Sequence, residues 1–125
     1  MSKEYLGGIT MLDGAFTRGT TPTQIFELPQ AIDMSDLKDF TITYKQRKNI
    51  VLIKRKEDTI TPSEIDPERN IVITLSQSDT LMFDPRINKV EVQIKAISNS
   101  GDVFVMGNYK LRLEDCFDEE EIGIY

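Results

Sequence analysis

Positively charged side chains are concentrated in one short stretch, and they offer the clearest chemistry in the sequence. Every charged side chain within residues 45–56 is basic. Lysine and arginine at this density bind phosphate or carboxylate groups. Three alternatives stay open: a nucleic acid, an acidic surface of a neighbouring protein or of a second copy, or a solvated sheet edge. We predict a protein-contact surface formed by Lys45, Arg47, Lys48, Lys54, Arg55 and Lys56.

A second candidate contact surface is the stretch over residues 18–23. Pro22 restricts Thr21 to extended dihedral angles, so the local chemistry predicts a turn that leads into a strand. We predict that Arg18, Thr20 and Thr21 contact a partner protein there.

The residue types that most enzymes use are missing or isolated. The chain has no histidine and one cysteine, Cys116, which excludes a Ser-His-Asp or Cys-His nucleophile, a histidine-ligated zinc site and an internal disulfide. Acidic neighbours disfavour a reactive thiolate at Cys116. No spacing among the 21 acidic residues selects a catalytic carboxylate pair. We therefore expect no enzymatic activity, no cofactor and no metal site.

Acidic residues are concentrated near the end of the sequence. The net charge is −6, from 21 acidic and 15 basic residues. Residues 114–121 hold six acids and no base, so the remainder is balanced at 15 against 15. Such a run is typical of a solvated terminus or connector, and the spacing of an EF-hand calcium loop is absent. We expect an acidic tail over residues 114–125, for which a cation or a partner protein is an alternative ligand.

Alternation of apolar and polar residues is the pattern that would position these side chains. Residues 90, 92, 94 and 96 are apolar and alternate with mostly polar neighbours, as in a strand with one face on a core. The same pattern predicts strands over residues 24–28, 40–46, 50–56, 71–76, 90–97 and 103–113, and residues 9–16 are a candidate seventh.

Turn-forming residues divide these strands into hairpins. The polar link over residues 47–49 joins two strands, and the cluster over residues 98–102 joins two more, with Gly101 free to adopt a positive φ. Gly107 and Asn108 interrupt the alternation of the last strand, which predicts a bulge. Helical signal is confined to single turns near residues 33–37 and 76–83.

The strands are short and closely spaced, and no helices are available to cover a parallel sheet. We therefore predict an all-β fold, an immunoglobulin-like antiparallel β-sandwich of about seven strands with one or two short helical turns. The paired cysteines and the tryptophan of antibody domains are absent, so the prediction concerns architecture alone. At 125 residues we expect one domain over residues 1–125, and the order of residues 1–8 stays open.

The sequence contains no signal for a membrane or for secretion. No window approaches the roughly 20 apolar residues of a membrane-spanning helix. The first five residues, Met-Ser-Lys-Glu-Tyr, lack the apolar stretch of a signal peptide. We therefore expect no membrane partner.

Several segments occur in a fixed order along most of the chain. They are Arg-Gly-Thr-Thr-Pro-Thr at residues 18–23, Asp-Leu-Lys-Asp at 36–39, Thr-Tyr-Lys-Gln at 43–46, Thr-Leu-Ser-Gln-Ser-Asp-Thr-Leu-Met-Phe at 74–83 and Lys-Val-Glu-Val-Gln-Ile at 89–94. This order resembles a family of small structural proteins encoded by phages and prophages of gut Firmicutes. More distantly, it is similar to the immunoglobulin-like N-terminal domains of phage baseplate upper proteins.

The resemblance implies a structural role in a virion, with no cofactor and no enzymatic activity. It implies other phage tail or baseplate proteins, or further copies of the chain, as partners. It also implies a location in the virion after synthesis in the bacterial host. Because no receptor-binding extension follows in this sequence, we expect an assembly component of the tail or baseplate.

Two other functions stay open. A carbohydrate or cell-surface binding module suits a sandwich, but the chain has no tryptophan, and its candidate platforms are Tyr5, Tyr109 and Tyr125. The spacing of Tyr109 with Leu111 favours a core position for that ring. Nucleic-acid binding through the basic hairpin is less favoured, because nucleic-acid readers usually add exposed aromatics or a groove-sized helix.

Overall fold

The computed structural model describes residues 14–115, and in that range the all-β sandwich predicted from the sequence is confirmed. Two 3-10 turns, over Met34–Asp36 and Lys56–Asp58, accompany the strands. Residues 1–13 and 116–125 lie outside the described residues, and with them Tyr5, Cys116, Tyr125 and most of the acidic segment. The described elements are β1 (Ala15–Thr17), β2 (Thr23–Glu27), β3 (Leu37–Gln46), β4 (Asn49–Arg55), β5 (Asn70–Thr74), α1 (Gln77–Leu81), β6 (Lys89–Ser98) and β7 (Val103–Glu114).

The strands form two sheets, one with the order β1-β7-β6-β3-β4 and one with β2 beside β5. Pairs of described strands are antiparallel except β1 and β7, which run parallel with Phe16 beside Leu113. The antiparallel sandwich therefore contains one parallel pair within residues 14–115. No hairpin links β1 to β7, so no turn imposes an antiparallel orientation on them. Of the candidate strand over residues 9–16, Ala15 and Phe16 lie in β1, and residues 9–13 are outside the described range.

Alternation along the strands builds the core between the sheets. On β6 the side chains of Val90, Val92, Ile94 and Ala96 are buried, while those between them point to solvent. The small sheet contributes Phe26 together with apolar residues of β5. The largest fully buried side chains are Tyr44, Phe26, Phe83, Ile25, Ile42, Ile71, Ile73, Leu75 and Ile94.

One buried polar pair lies within this core. The Tyr44 hydroxyl donates a hydrogen bond to Oε1 of Gln24, and both residues are fully buried. Burial, with a smaller contribution from the charge of Asp79, raises the pKa of the Tyr44 phenol far above its usual range. This bond fixes β3 of the large sheet against β2 of the small one.

Both predicted hairpins are present, and their turns use positive φ angles. The β3–β4 turn has two residues rather than three, because Gln46 pairs with Asn49. Arg47, the first of these two residues, adopts a φ of 58°. Gly101 adopts a φ of 97° in the β6–β7 turn. Such angles favour glycine and tolerate few other residues.

The bulge predicted in the last strand is also present. Ile94 lies opposite Gly107 and Lys95 opposite Val105, so Met106 is the extra residue, one position before the predicted site. Val51 of β4 is bypassed in the same way, because Tyr44 pairs with Leu52 and Lys45 with Ile50. Bulges of this kind disrupt the ladder of backbone hydrogen bonds on the strands that carry them.

The two predicted helical turns correspond to Met34–Asp36 and α1. Ser76 caps α1, because its Oγ accepts from the Asp79 backbone N–H and the Asp79 carboxylate accepts from the Ser76 N–H, each at 3.0 Å. Burial alone would raise the pKa of Asp79, but these bonds and Lys54 outweigh it and lower the pKa below its usual value.

Candidate functional site

The large sheet turns one face to the core and its other face, the outer face, to solvent. Cross-strand pairing on the outer face places Glu91 between Lys45 and Lys110, and it places Lys89 beside Arg112. At the other end of the face, Thr41 separates Arg55 from Lys95. The basic face is defined here as Lys45, Arg55, Lys89, Lys95, Lys110 and Arg112, with Glu91 among them.

Uncharged polar side chains occupy the middle of this face. Thr43 lies beside Gln93, whose Nε2 donates to Oδ1 of Asn108 at 3.0 Å. A depression of about 440 Å³ lies over these residues and the neighbouring Lys45 and Lys110. Its lining combines these polar and charged side chains with the apolar Ile50 and Val92.

Apolar side chains lie on the same face, near its two sides. On β4, Ile50 and Ile53 are 59% and 44% exposed. On β7, Val103 and Val105 are 58% and 49% exposed. A sheet face that combines cations with exposed β-branched side chains has the composition of a contact surface rather than of a purely solvated one.

The structure separates the six cations of the predicted basic hairpin. Lys45, at the edge of the depression, and the exposed turn residues Arg47 and Lys48 lie at one end of β4. Arg55 lies at the opposite end, roughly 20 Å away at the rise of an extended strand. Four of the predicted contact residues are therefore accessible, but they lie in two groups at opposite ends of β4.

Lys54 and Lys56 are directed elsewhere, which corrects their assignment to an exposed contact surface. Lys54 shares an inner row with Ile42, and its Nζ lies 2.9 Å from the Asp79 carboxylate. Lys56 donates from Nζ to the Leu37 carbonyl at 3.1 Å. The alternation of β4 turns Lys54 toward α1, and the 3-10 turn after β4 brings Lys56 back onto β3.

Gln46 fixes the loop between α1 and β6, which lies beside the β3–β4 turn. Its buried amide accepts from the Asp84 N–H at 2.8 Å and donates to the Asp84 and Ile87 carbonyls at 2.9 and 2.8 Å. Arg86 binds the exposed Asp84 carboxylate at 2.8 Å and, with Arg47 adding a smaller effect, lowers the pKa of Asp84 to about 2. A second depression, of about 410 Å³, lies between Arg47, Arg86 and Lys89.

Arg18 is buried, which corrects its assignment to an exposed contact surface. The residue is 9% exposed, and its guanidinium donates from Nε to the Phe83 carbonyl at 2.7 Å and from Nη2 to the Leu81 carbonyl at 3.1 Å. It also lies 3.6 Å from the Asp115 carboxylate. Arg18 therefore joins the turn after β1 to the segment after α1.

Thr80 completes this connection from the other side. Its buried hydroxyl accepts from the Gly19 N–H at 2.9 Å and donates to the Thr20 carbonyl at 2.9 Å. The turn predicted over residues 18–23 is therefore held by α1. Thr20 and Thr21 are exposed, and their contact with a partner stays a prediction.

A loop rich in acidic residues, called here the acidic loop, lies outside the basic face. Five acids against one base occupy the loop between the Lys56 side chain and β5, over residues 57–69, and all five are exposed. The base, Arg69, donates hydrogen bonds from its guanidinium to the Leu28, Pro29 and Ile32 carbonyls. The acidic loop, over residues 57–69, is thus a surface distinct from the basic face, although Glu91, Asp39 and Glu114 lie on the outer face itself.

Four of the six cations of the basic face were not among the predicted contact residues: Lys89, Lys95, Lys110 and Arg112. Alternation already indicated that these side chains point outward. The strand order that joins β7 and β6 to β3 and β4 was the missing information, because sequence patterns do not specify which strands are neighbours.

Other candidate sites find no support in the described range. Tyr109 packs on Phe26 with ring centroids 5.0 Å apart, which confirms its core position and removes it as a carbohydrate platform. Residues 14–115 contain no group of three His, Cys, Asp or Glu side chains placed to hold a metal ion. No helix in that range has the length and apolar character needed to cross a membrane.

Comparisons with known proteins show a similarity of fold to solved structures. No family model matches the chain, and no curated protein matches it either. An engineered protein from the Northeast Structural Genomics Consortium superposes with a TM-score of 0.51 at 10% identity, over 81% of this chain and 18% of the engineered one. It shares the fold alone. CopC from Methylosinus trichosporium OB3b is also similar, at a TM-score of 0.45 and 10% identity, over 86% of this chain and 88% of CopC.

Proposed function

We propose that this protein is a non-enzymatic structural module of a phage or prophage particle, an assembly component of the tail or baseplate that acts through protein–protein contacts. The observation that supports it most is the outer face of the large sheet. That face is open to solvent, carries six cations and exposes four β-branched apolar side chains. Protein contacts combine apolar side chains with charged ones that set partner and orientation. The assignment to a phage particle comes from the family resemblance.

Edge-to-edge sheet growth is a weaker mode of assembly for this chain. The bypassed residues Val51 and Met106 interrupt the two long strands that flank β3 and β6. Bulges and charged side chains on outer strands oppose strand addition. The face of the sheet is therefore the surface that we assign to partner binding.

Six cations on one face also favour a second candidate, nucleic-acid binding. The outer rows of the described strands lack an aromatic side chain on which a base would stack, which favours a protein partner. DNA mobility shifts at low and high salt separate the two functions. A salt-sensitive shift at micromolar protein would support the second candidate.

The test of the proposed function is binding to the products of adjacent genes. We expect size-exclusion chromatography with light scattering to detect a complex with a neighbouring tail or baseplate protein. Ile53→Thr should weaken that complex, because Ile53 lies on the outer face. Ile60→Thr is the matched control, since Ile60 is equally exposed at 44% but lies on the acidic loop. A protein that binds none of its neighbours would contradict the proposal.

A further inference from the structure

The basic face has an excess of positive charge that its own sheet leaves largely unbalanced. Lys45 and Lys110 flank the single carboxylate of Glu91. Lys95 has the apolar Val105 and the hydroxyl of Thr41 as cross-strand neighbours, and Asp39 is the one acid near it on this face. Arg112 is paired with Glu114 at 3.2 Å, on an exposed part of β7. An anionic ligand would therefore find several cations within reach on one surface.

The ligand must also suit the apolar residues of that face. Ile50 and Ile53 lie beside Lys45 and Thr43, and the exposed Val105 lies beside Lys95. Phosphate chains have no apolar groups to place there, whereas an acidic peptide with interspersed apolar side chains has both kinds. The chemistry of the face thus favours a mixed acidic and apolar segment.

The chain itself contains a segment of that composition. Residues 114–121 hold six acids, and Phe117 lies among them. Ile122, Ile124 and Tyr125 follow directly. Because Glu114 belongs to β7 and Asp115 is paired with Arg18, six residues, 116–121, are counted for reach. Fully extended, they span about 20 Å, which exceeds the roughly 14 Å across the four strands β7, β6, β3 and β4.

The two acids at the end of β7 are already paired within their own molecule. The Glu114 carboxylate lies 3.2 Å from the Arg112 guanidinium on the outer face. The Asp115 carboxylate lies 3.6 Å from the guanidinium of Arg18, which is buried against the Leu81 and Phe83 carbonyls. The acids that remain for a second copy are therefore those of residues 118–121.

We propose that the basic face binds the acidic segment 118–121 of a second copy of this chain. Carboxylates of the segment pair with Lys45, Lys110 and Lys95, and apolar side chains near it cover Ile50 and Ile53. The inference rests on the proposed function and adds the identity of one partner. It makes the contact homotypic and dependent on salt.

The test uses the full chain and a fluorescent peptide of residues 114–125 with serine at the position of Cys116. Fluorescence anisotropy should show saturable binding. The affinity should fall as the salt concentration is raised from about 0.05 to about 0.5 M, because the screening length becomes shorter. Lys45→Gln combined with Lys110→Gln should weaken binding about tenfold. Lys38→Glu is the control, because it makes the same change of net charge on the exposed Lys38 outside the basic face. Equal weakening by the control would overturn the proposal.

Sedimentation velocity of the full chain distinguishes the second copy from the chain's own segment. We expect self-association that rises with concentration and falls in the variant Glu119→Gln combined with Glu120→Gln. Glu57→Gln combined with Glu64→Gln is the matched control, since both residues are exposed on the acidic loop. A monomer at every concentration would overturn the proposal, whether or not the peptide binds.

The outcome also separates this inference from the proposed function. If the peptide does not bind but a neighbouring gene product does, and Ile53→Thr weakens that complex, the homotypic contact is wrong and the proposed function stands. If the peptide binds, the full chain self-associates and no neighbouring product binds, the homotypic contact stands and the proposed function is contradicted.

Discussion

We predict that Thr80→Val destabilises the fold, because it removes the hydroxyl that holds the turn after β1. Valine has nearly the shape of threonine, so the substitution leaves no large cavity at this fully buried position. It deletes the acceptor for the Gly19 N–H and the donor to the Thr20 carbonyl, each at 2.9 Å. The change therefore isolates two hydrogen bonds.

The magnitude follows from what each bond contributes. A net contribution of about 1 kcal/mol for each bond, and a further cost for a backbone N–H left without its partner, gives a loss of about 2–3 kcal/mol in the free energy of unfolding. For a urea m-value of about 1.5 kcal/mol per molar, the unfolding midpoint falls by roughly 1–2 M.

The assay is equilibrium urea unfolding followed by far-ultraviolet circular dichroism. Thr74→Val is the matched control, because the exposed hydroxyls of Thr74 and Thr23 bond each other at 2.8 Å and water replaces that bond. We expect the control to change stability by less than about 0.5 kcal/mol. Equal midpoints for the two variants would refute the role of Thr80, and with it the structural role that we assign to the turn over residues 18–23.

Three further predictions concern the core, the helix cap and a turn. Tyr44→Phe should cost about 1–3 kcal/mol by leaving the buried Gln24 amide without its donor, and adding Gln24→Leu should recover most of that loss. Asp79 has a lowered pKa in the folded state, so its stabilising contribution is present above the unfolded value of 3.8 and is lost as the pH falls through the folded value. The stability difference between wild type and Asp79→Asn in urea should therefore shrink from pH 6 to acidic pH. Gly101→Ala should cost about 1 kcal/mol in thermal unfolding, because φ is 97° there and an added Cβ meets no neighbour.

Each of these predictions has an outcome that would contradict it. A double variant of Tyr44 and Gln24 that is no more stable than Tyr44→Phe alone would show that shape, rather than hydrogen bonding, determines the loss. A pH-independent difference for Asp79→Asn would exclude its carboxylate as the titrating group. Wild-type stability for Gly101→Ala would mean that the turn adopts another conformation in solution.

Much of the fold was predictable because period-two alternation is a local property. The strand β6 was predicted within one residue at each end, since Val90, Val92, Ile94 and Ala96 alternate with mostly polar neighbours. The bulge near Gly107 was predicted from the broken alternation, and its position was wrong by one residue. The parallel pairing of β1 with β7 was not predictable, because it depends on a contact between chain segments about 95 residues apart.

The candidate site was predictable only in part, for the same reason. A run of cations is visible in sequence, but the direction of each side chain depends on strand register. Lys54 and Arg55 are adjacent in sequence, yet one pairs with Asp79 beneath the sheet and the other is exposed. The burial of Arg18 required knowledge of the end of α1 and the residues after it, because the Leu81 and Phe83 carbonyls lie 63 and 65 residues further along the chain.

The basic face described above gives one side of the large sheet an excess of positive charge, although the isoelectric point of the protein is about 4.7. At neutral pH, a protein of net charge −6 would ordinarily be repelled by a carboxylate resin. Here the basic face should instead be retained, so the molecule adsorbs in one orientation with its acidic loop turned outward. Retention on a carboxylate resin would then show whether the basic face is free to bind the resin, in addition to reflecting the net charge of the protein.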